Sequence, residues 1–225
     1  GDDLAVELVR TFTHGTQISE LKHAHMWGRL KQYFITGGLP EVVSVFNEQQ
    51  KFLYEATTAA RSLQEQLIKA YYADIAKHAG KVNAMHIDRT WQSVPVQLAS
   101  NYDSNANRFR FKDIMPTISR YRQLVNVIDW LEAAELVIRV PIVGSFEQPL
   151  KAYTKENLFK LMMFDIGLLG AMNPIDPSTI LKYDYGTYKG YFAENFVAQQ
   201  LASQTMNKLY RWQEDRSEVE FLLPY

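Results

Sequence analysis

The chain contains no cysteine and no long hydrophobic run. Without cysteine there can be no disulfide framework, no thiolate zinc site and no cysteine nucleophile, and a reducing cytoplasm is favoured. Largely apolar stretches such as 136–140 and 161–164 are far too short to cross a bilayer, and the first residues show no signal-peptide core. The sequence therefore predicts a cytoplasmic protein with no membrane partner.

An excess of charge of either sign is also missing. The 24 lysines and arginines nearly balance the 25 aspartates and glutamates, which leaves a formal charge of -1. Any binding to nucleic acid must therefore come from a local patch, because the molecule as a whole has no attracting field.

The short motifs of several common sites are absent as well. There is no G-x-x-x-x-G-K-[ST], no G-x-S-x-G and no H-E-x-x-H in the sequence. We therefore expect no ATP site and no cofactor bound by these residues alone.

What the sequence does contain is typical of a globular protein, with 47% hydrophobic and 22% charged residues. The first two thirds have mainly helical periodicity, and the last third alternates between strand and helix patterns. The predicted fold class is α+β and mainly helical. The chain begins with Gly-Asp-Asp and ends on the strand pattern Val219, Phe221 and Leu223, so we expect it to be a fragment of a longer protein.

Glycine and proline mark the helix boundaries of the first half. Gly37 and Gly38 predict the end of one helix, and Pro40 suits the first turn of the next. The apolar pattern then predicts a long helix over 47–78, ended by Gly80, and another helix over 89–101.

The middle of the chain predicts a helix followed by a β-hairpin. Thr117 or Ser119 can cap this helix, whose apolar stripe consists of Ile118, Tyr121, Val125, Ile128 and Leu131. Two β-rich runs on either side of Gly144 and Ser145 predict the hairpin. Helices followed by a hairpin outline a winged helix, but a helical bundle with a trailing hairpin fits the pattern equally well.

The last third predicts a buried strand, either alone or with a short helix, then a longer helix and a terminal hairpin. The strand and short helix lie in "LFKLMMFDIGLLGAM", and "KLYRW" pairs with "EVEFLL" across 213–217. The longer helix between them has an apolar stripe at Phe192, Ala193, Phe196, Val197 and Leu201.

Three glutamates of this last third form a candidate metal site. Glu194 lies on the longer helix, and Glu218 and Glu220 share one face of the final strand. Because Mg²⁺ takes oxygen ligands from one or two carboxylates, this set can supply half of a phosphodiester-cleaving site, with Glu194 and Glu220 as its catalytic pair. The further carboxylate and the lysine that such a site needs on a following strand are missing. The alternative is that all three glutamates lie on solvated faces.

A basic segment, "RFRFKDIMPTISRYR", is the candidate contact for nucleic acid. Its basic residues are Arg108, Arg110, Lys112, Arg120 and Arg122. They are interleaved with aromatic residues and can contact a phosphate backbone. The alternative is an ordinary basic face docked on acidic groups elsewhere.

Seven stretches of the chain form an ordered set: "YFITGGLPEVV", "YYADIAKHAG", "TWQSVPVQLA", "IDWLEAAELVIRV", "FKLMMFDIGLL", "YKGYFAENFVAQQLA" and "LYRWQEDRSEVEFLL". In order and spacing they resemble the C-terminal region of a large group of prokaryotic AAA-type ATPases. The resemblance extends from about Trp27 to the last residue, and several short motifs in one order make it specific.

The resemblance implies an N-terminal P-loop ATPase domain as partner, and ATP and Mg²⁺ as cofactors of that longer protein. It implies a winged-helix-like part and then an incomplete domain similar to the PD-(D/E)XK, restriction-endonuclease-like fold, in a region catalogued as a domain of unknown function. Glu194 matches the acidic position of that fold's first helix, Glu220 the position usually held by Asp, and Glu218 the Glu before it. The Glu in place of Asp and the absent E-x-K strand imply that these residues alone do not cleave nucleic acid.

We therefore expect a remnant of the ATPase helical lid and hinge at 1–46. A winged-helix-like domain follows at 47–149, and a partial endonuclease-like domain at 150–225. Two functions stay open ahead of a third, a free-standing hydrolase, for which the sequence holds no complete catalytic set. The first is a DNA-linked accessory region that nucleotide turnover repositions. The second is a catalytically silent interaction or regulatory module that docks on the ATPase, on another partner or on a second copy.

Overall fold

The computed structural model describes residues 2–13, 15, 17–79, 81–101, 108–112, 114–115, 118, 120–182, 188–205, 208–214 and 217–224. The helices are α1 (Asp3–Thr11), α2 (Glu20–Thr36), α3 (Pro40–Gln49), α4 (Leu53–His78), α5 (Lys81–Asn101), α6 (Val125–Ala133), α7 (Ile166–Met172), α8 (Pro177–Lys182) and α9 (Tyr188–Gln204). The strands are β1 (Val137–Val143), β2 (Thr154–Met163), β3 (Tyr210–Glu214) and β4 (Ser217–Leu222). The predicted class, α+β and mainly helical, is confirmed. Within these residues no helix has both the length and the hydropathy to cross a bilayer.

The joint between α2 and α3 forms as the glycines and the proline predict. Gly37 ends α2 at a φ of +68°, a backbone conformation that favours glycine, and Pro40 begins α3. The buried carboxylate of Asp165 caps α7 by accepting the Leu168 N–H at 2.9 Å, and it also accepts the Gly38 N–H at 2.7 Å. The "GGLP" and "FDIG" stretches, far apart in the chain, are therefore parts of one joint.

The predicted helix over 47–78 is α4, but its start is wrong, because residues 50–52 form the turn of a helical hairpin between α3 and α4. The turn brings Val42 and Phe46 of α3 against Ala56 and Ala60 of α4 in a small separate core. Small alanines on α4 let the two helices approach closely, which a continuous helix would not permit. The helix end was predicted at Gly80, which lies outside the described residues, and α4 ends at His78.

The predicted helix over 89–101 is part of α5, which begins earlier, at residue 81. The next helix, α6, begins only at Val125, later than predicted, because residues 121–123 form a 3-10 turn. The Gln123 side chain accepts the Arg120 N–H at 3.1 Å and closes this turn. Ile118 instead forms an isolated β-bridge with Met115, and the predicted caps at 117 and 119 lie outside the described residues. The buried positions that begin and line α6 are Leu124, Val127, Ile128 and Leu131.

The four strands form one mixed sheet in the order β2-β1-β3-β4. β1 and β2 are antiparallel, as the predicted hairpin requires, and β3 and β4 form the predicted terminal hairpin. β1 pairs with β3 in parallel, which joins the two hairpins. The predicted strand and short helix after 156 are β2 and α7.

Helix α9 packs on this sheet through a face that shares only part of the predicted stripe: Phe192 is buried and Phe196 and Leu201 pack on the core, whereas Ala193 and Val197 are exposed. The buried Asn195 side chain accepts the Met163 N–H at 2.7 Å and donates to the Met163 carbonyl at 3.0 Å. This pair of bonds fixes the rotation of α9, so Tyr191 and Phe192 are buried, whereas Val197 is 40% exposed.

The main core draws on helices and sheet together. Phe34, Trp91, Ile128, Phe159 and Phe192 belong to one buried cluster that runs from α2 to α9. The division at residues 46 and 149 remains a prediction.

Candidate functional site

The three predicted glutamates converge on one buried arginine. Arg211 of β3 has a side chain that is 1% exposed. Its guanidinium lies 3.1 Å from Glu194 Oε1 and 3.0 Å from Glu220 Oε2, and it also binds Glu218. The arginine therefore occupies the space between the three carboxylates.

A lysine from the far edge of the sheet completes this group. The side chain of Lys160 on β2 is 5% exposed, and its Nζ lies 2.5 Å from Glu194 Oε1. Burial lowers the pKa of Lys160, while the neighbouring Glu194 carboxylate acts to raise it. Two cations and three carboxylates thus form one group, which we call the charge cluster: Lys160, Glu194, Arg211, Glu218 and Glu220.

The local sequence explains why these side chains meet. Strand alternation places Arg211 between the buried Tyr210 and the partly buried Trp212 but on the other face of β3, towards α9. The register of β3 with β4 sets Glu218 opposite Gln213, so both glutamates of β4 stand beside the arginine. Glu194 faces the sheet because Asn195 fixes the rotation of α9.

The most perturbed carboxyl of the charge cluster belongs to Glu220. Burial and the negative charge of Glu194 raise the pKa of Glu220 to about 7, against the attraction of Arg211. The side chain is 44% exposed, so the carboxyl is open to solvent on one side. Glu220 therefore changes charge near neutral pH.

The charge cluster differs from an open metal site. Any divalent cation bound by Glu194, Glu218 and Glu220 would compete with the Arg211 guanidinium, which already contacts all three. Among the described residues, no group of three or more His, Cys, Asp or Glu side chains has an arrangement that could hold a metal ion. The metal and catalytic roles of the three glutamates remain predictions.

The basic segment lies along the outside of the hairpin. The Phe109 N–H donates to the Phe159 carbonyl of β2 at 2.8 Å, so this segment runs beside the edge of the sheet. Four of its five basic residues are exposed, and the fifth, Arg110, is half-buried. The exposed four are Arg108, Lys112, Arg120 and Arg122.

The aromatic residues interleaved with these cations point inward. Phe109 is 4% exposed and stacks on Phe159 at 6.0 Å between ring centroids. Phe111 and Tyr121 contact the same Phe159 ring at 5.8 and 6.1 Å. Phe109 is buried, and Phe111 and Tyr121 are partly buried with one ring edge or face packed on Phe159, so what the segment mainly offers to a ligand is charge.

Helix α6 carries acidic groups on its outer side. Asp129 is exposed, and its carboxylate lies 3.2 Å from Arg139. Glu132 lies 3.6 Å from the same arginine and 2.8 Å from Lys208. A helix with this outer face would repel phosphates, so contact with DNA would come from the segment before α6.

Sequence reasoning missed Lys160 and Arg211. A signal was present for Lys160, because a lysine within the apolar run "LFKLMM" of a buried strand must find a carboxylate partner. For Arg211 the alternation in "LYRWQ" shows which face it takes, but the burial of that face depends on α9, which a strand pattern does not reveal.

The comparisons with known proteins give one match. The model of a protein family described as a domain of unknown function (DUF8612) matches residues 28–179. No curated protein and no solved structure matches the chain. The matched segment begins in α2 and ends in α8, so it includes the Asp165 joint and β2 with Lys160.

Proposed function

The chain belongs to the DUF8612 family, and from that premise we propose that it is a nucleic-acid-contacting accessory module of a nucleotide-driven ATPase. The ATPase part of the proposal rests on the ordered motifs that resemble the C-terminal region of AAA-type proteins. The nucleic-acid part rests on the arrangement of the basic segment.

The observation that carries the proposal is the separation of charge from aromatic rings. Arg108, Lys112, Arg120 and Arg122 are exposed, whereas the rings between them pack into the core. Cations on a rigid aromatic support contact phosphates without reading bases. The module would therefore bind DNA with little sequence preference and with strong dependence on salt.

The proposal gives the charge cluster a structural role. Arg211 and Lys160 neutralise most of the acidic charge and tie α9 to strands β2, β3 and β4. A cluster satisfied in this way holds the sheet together and leaves no open carboxylate shell for cleavage chemistry. We expect DNA incubated with the protein and Mg²⁺ to stay intact on a denaturing gel.

The test is fluorescence anisotropy of a short labelled duplex at rising salt. We expect the wild type to bind, with the logarithm of the binding constant falling linearly with the logarithm of the salt concentration. Changing both Arg120 and Arg122 to Gln should reduce the slope of this line by about 1 for each arginine. The matched control changes two exposed lysines elsewhere, Lys51 and Lys77, to Gln. Absence of binding at low salt, or an equal loss in the control, would overturn the proposal.

A second function is favoured by helix α1. This helix buries none of its residues; Leu4 and Val9 on the helix and Phe12 directly after it are 39%, 67% and 55% exposed. An exposed apolar surface of this kind is typical of protein–protein contact. We propose docking on a protein partner, with a second copy of the chain as the occupant tested first.

Sedimentation velocity over a concentration series tests this second function. The chain should self-associate, and Val9→Ser with Phe12→Ser should return it to a monomer. A monomer at all concentrations would remove self-association. Changing Phe52→Ser, an exposed ring at the α3–α4 turn, serves as the control.

A further inference from the structure

The β-hairpin contains an irregularity that opens a groove. Phe159 of β2 pairs with Pro141 of β1, but the next pair joins Thr154 to Val143. Four residues of β2, 155–158, therefore lie opposite Ile142 alone. Bulges of this kind turn side chains away from the regular ladder and occur next to functional sites.

The groove beside this bulge has a volume of about 410 Å³ and is lined by basic side chains over an apolar floor. Lys151 and Lys155 are exposed, and neither forms an ion pair with a carboxylate among the described residues. Pro141 and Leu158 contribute to the floor. Two ammonium groups for which the described residues supply no ion-pair partner are suited to an anionic ligand.

Two further cations form the wall of the groove in fixed positions. Arg139 stacks over Phe159 at 4.3 Å from the ring centroid and donates to the Glu156 carbonyl at 2.8 Å. Lys208 is held by Glu132 at 2.8 Å. The four cations exceed the nearby carboxylates of Asp129, Glu132 and Glu156, so the groove keeps a positive charge after these pairs form.

The groove and the basic segment share one aromatic support. The Arg139 guanidinium donates to Tyr121 Oη at 3.2 Å, and Tyr121 lies between Arg120 and Arg122 in the chain. Phe111, Tyr121 and Phe159 contact one another as rings at 5.7 to 6.1 Å. Arg120 and Arg122 therefore flank the residue that contacts the wall of the groove.

We propose that the groove beside the β2 bulge binds a backbone phosphate of the same nucleic acid, with Lys151 and Lys155 as its contacts. This inference rests on the proposed function and extends the interface from the basic segment across the hairpin. The bound group is a phosphodiester of that nucleic acid, because the groove offers ammonium groups, and the two rings of its described lining, Phe159 and Tyr210, are buried.

The double variant Lys151→Gln with Lys155→Gln tests the groove by the same anisotropy measurement. We expect weaker binding and a salt slope reduced by about 2, since each lysine removes about one phosphate contact. The Lys51→Gln, Lys77→Gln variant should keep the wild-type slope. Circular dichroism of each variant checks that the fold is retained.

The outcomes separate the two proposals. If the wild type does not bind DNA, the proposed function fails and this inference fails with it. If the wild type binds and the Arg120, Arg122 variant is impaired while the Lys151, Lys155 variant binds normally, the groove inference alone is overturned. As a further measurement, inorganic pyrophosphate is titrated as a competitor of DNA. If pyrophosphate displaces DNA from the wild type but not from the Lys151, Lys155 variant, the groove binds a small phosphate ligand. That result would overturn the phosphodiester assignment.

Discussion

Single residues decide whether the charge cluster is stable. Arg211 and Lys160 are among the most buried charged side chains of the described part, and both depend on Glu194. A buried charge that loses its partner costs far more than the pair contributes when intact. The charge cluster is therefore sensitive to changes of one side chain.

Glu220→Gln should alter how stability depends on pH. The pKa of Glu220 is raised to about 7 in the folded state from an ordinary value of 4.5, so the folded protein binds the proton more tightly. Stability from this group is complete below the unfolded pKa and is lost as pH rises through about 7. Because the side chain is nearly half exposed, we expect an effect of the order of 1 kcal/mol.

Urea unfolding of wild type and variant at several pH values measures this difference. The wild type should lose free energy of unfolding relative to Glu220→Gln between pH 4.5 and about 7. Glu214→Gln, an exposed glutamate on β3, is the control and should follow the wild type. Parallel curves for Glu220→Gln and wild type would contradict the raised pKa of this carboxyl.

Lys160→Met should destabilise the protein by about 3 kcal/mol, because Glu194 loses its closest cation in a buried position. Methionine keeps the volume of the lysine stem, so the loss reports the charge. Thermal unfolding followed by circular dichroism measures it, with Lys155→Met on the exposed part of β2 as control. Equal melting of the two variants would show that the Lys160 pair contributes nothing.

At the level of elements, the α2–α3 joint depends on the absence of a side chain at Gly37. A Cβ there would overlap the Asp165 carboxylate, and the positive φ is strained for any other residue. Gln64 reinforces the same joint by donating to the Ile35 and Thr36 carbonyls at 2.8 and 3.1 Å. The joint therefore fixes α2 relative to α4 and α7.

Gly37→Ala should lower the free energy of unfolding by roughly 3 kcal/mol, from backbone strain and from displacement of the buried Asp165. Gly28→Ala is a control of opposite sign. Gly28 lies inside α2 with open space around its Cα, so alanine should stabilise by roughly 0.5–1 kcal/mol. Chemical denaturation measures both. A neutral Gly37→Ala would mean that the joint adopts another arrangement.

For the molecule as a whole, α1 stands apart from the shared core. Deleting residues 1–12 should change the thermal midpoint less than Gly37→Ala does, because α1 buries no side chain and is held by Asp2 through His25 and Arg29. Scanning calorimetry measures the midpoints. A large loss on deletion would show that α1 packs in solution in a way that the structure does not contain.

The sequence predicted the elements whose signals are local. Gly37 and Pro40 mark a real helix boundary, and the alternation around Gly144 and in "EVEFLL" marks two real hairpins. Such signals succeed because backbone conformation and period-2 burial act within a few residues. The turn at 50–52 has no glycine or proline, and only the packing of Phe46 on Ala60 shows where the helix breaks.

The residues of the candidate site also separate into those that the sequence predicts and those that only the fold reveals. Glu194, Glu218 and Glu220 were predicted from their residue type and spacing, since carboxylates on adjoining elements are recognisable from the sequence as potential metal ligands. Lys160 and Arg211 enter the site through the parallel pairing of β1 with β3 and the rotation of α9. The sequence by itself determined the fold class and the presence of acidic and basic groups. Only the tertiary structure decided that Lys160 and Arg211 neutralise most of the acidic charge of the cluster, while the cations of the basic segment stay largely exposed. The physical reason is that the partners in a buried ion cluster come from distant elements, which only long-range packing brings together.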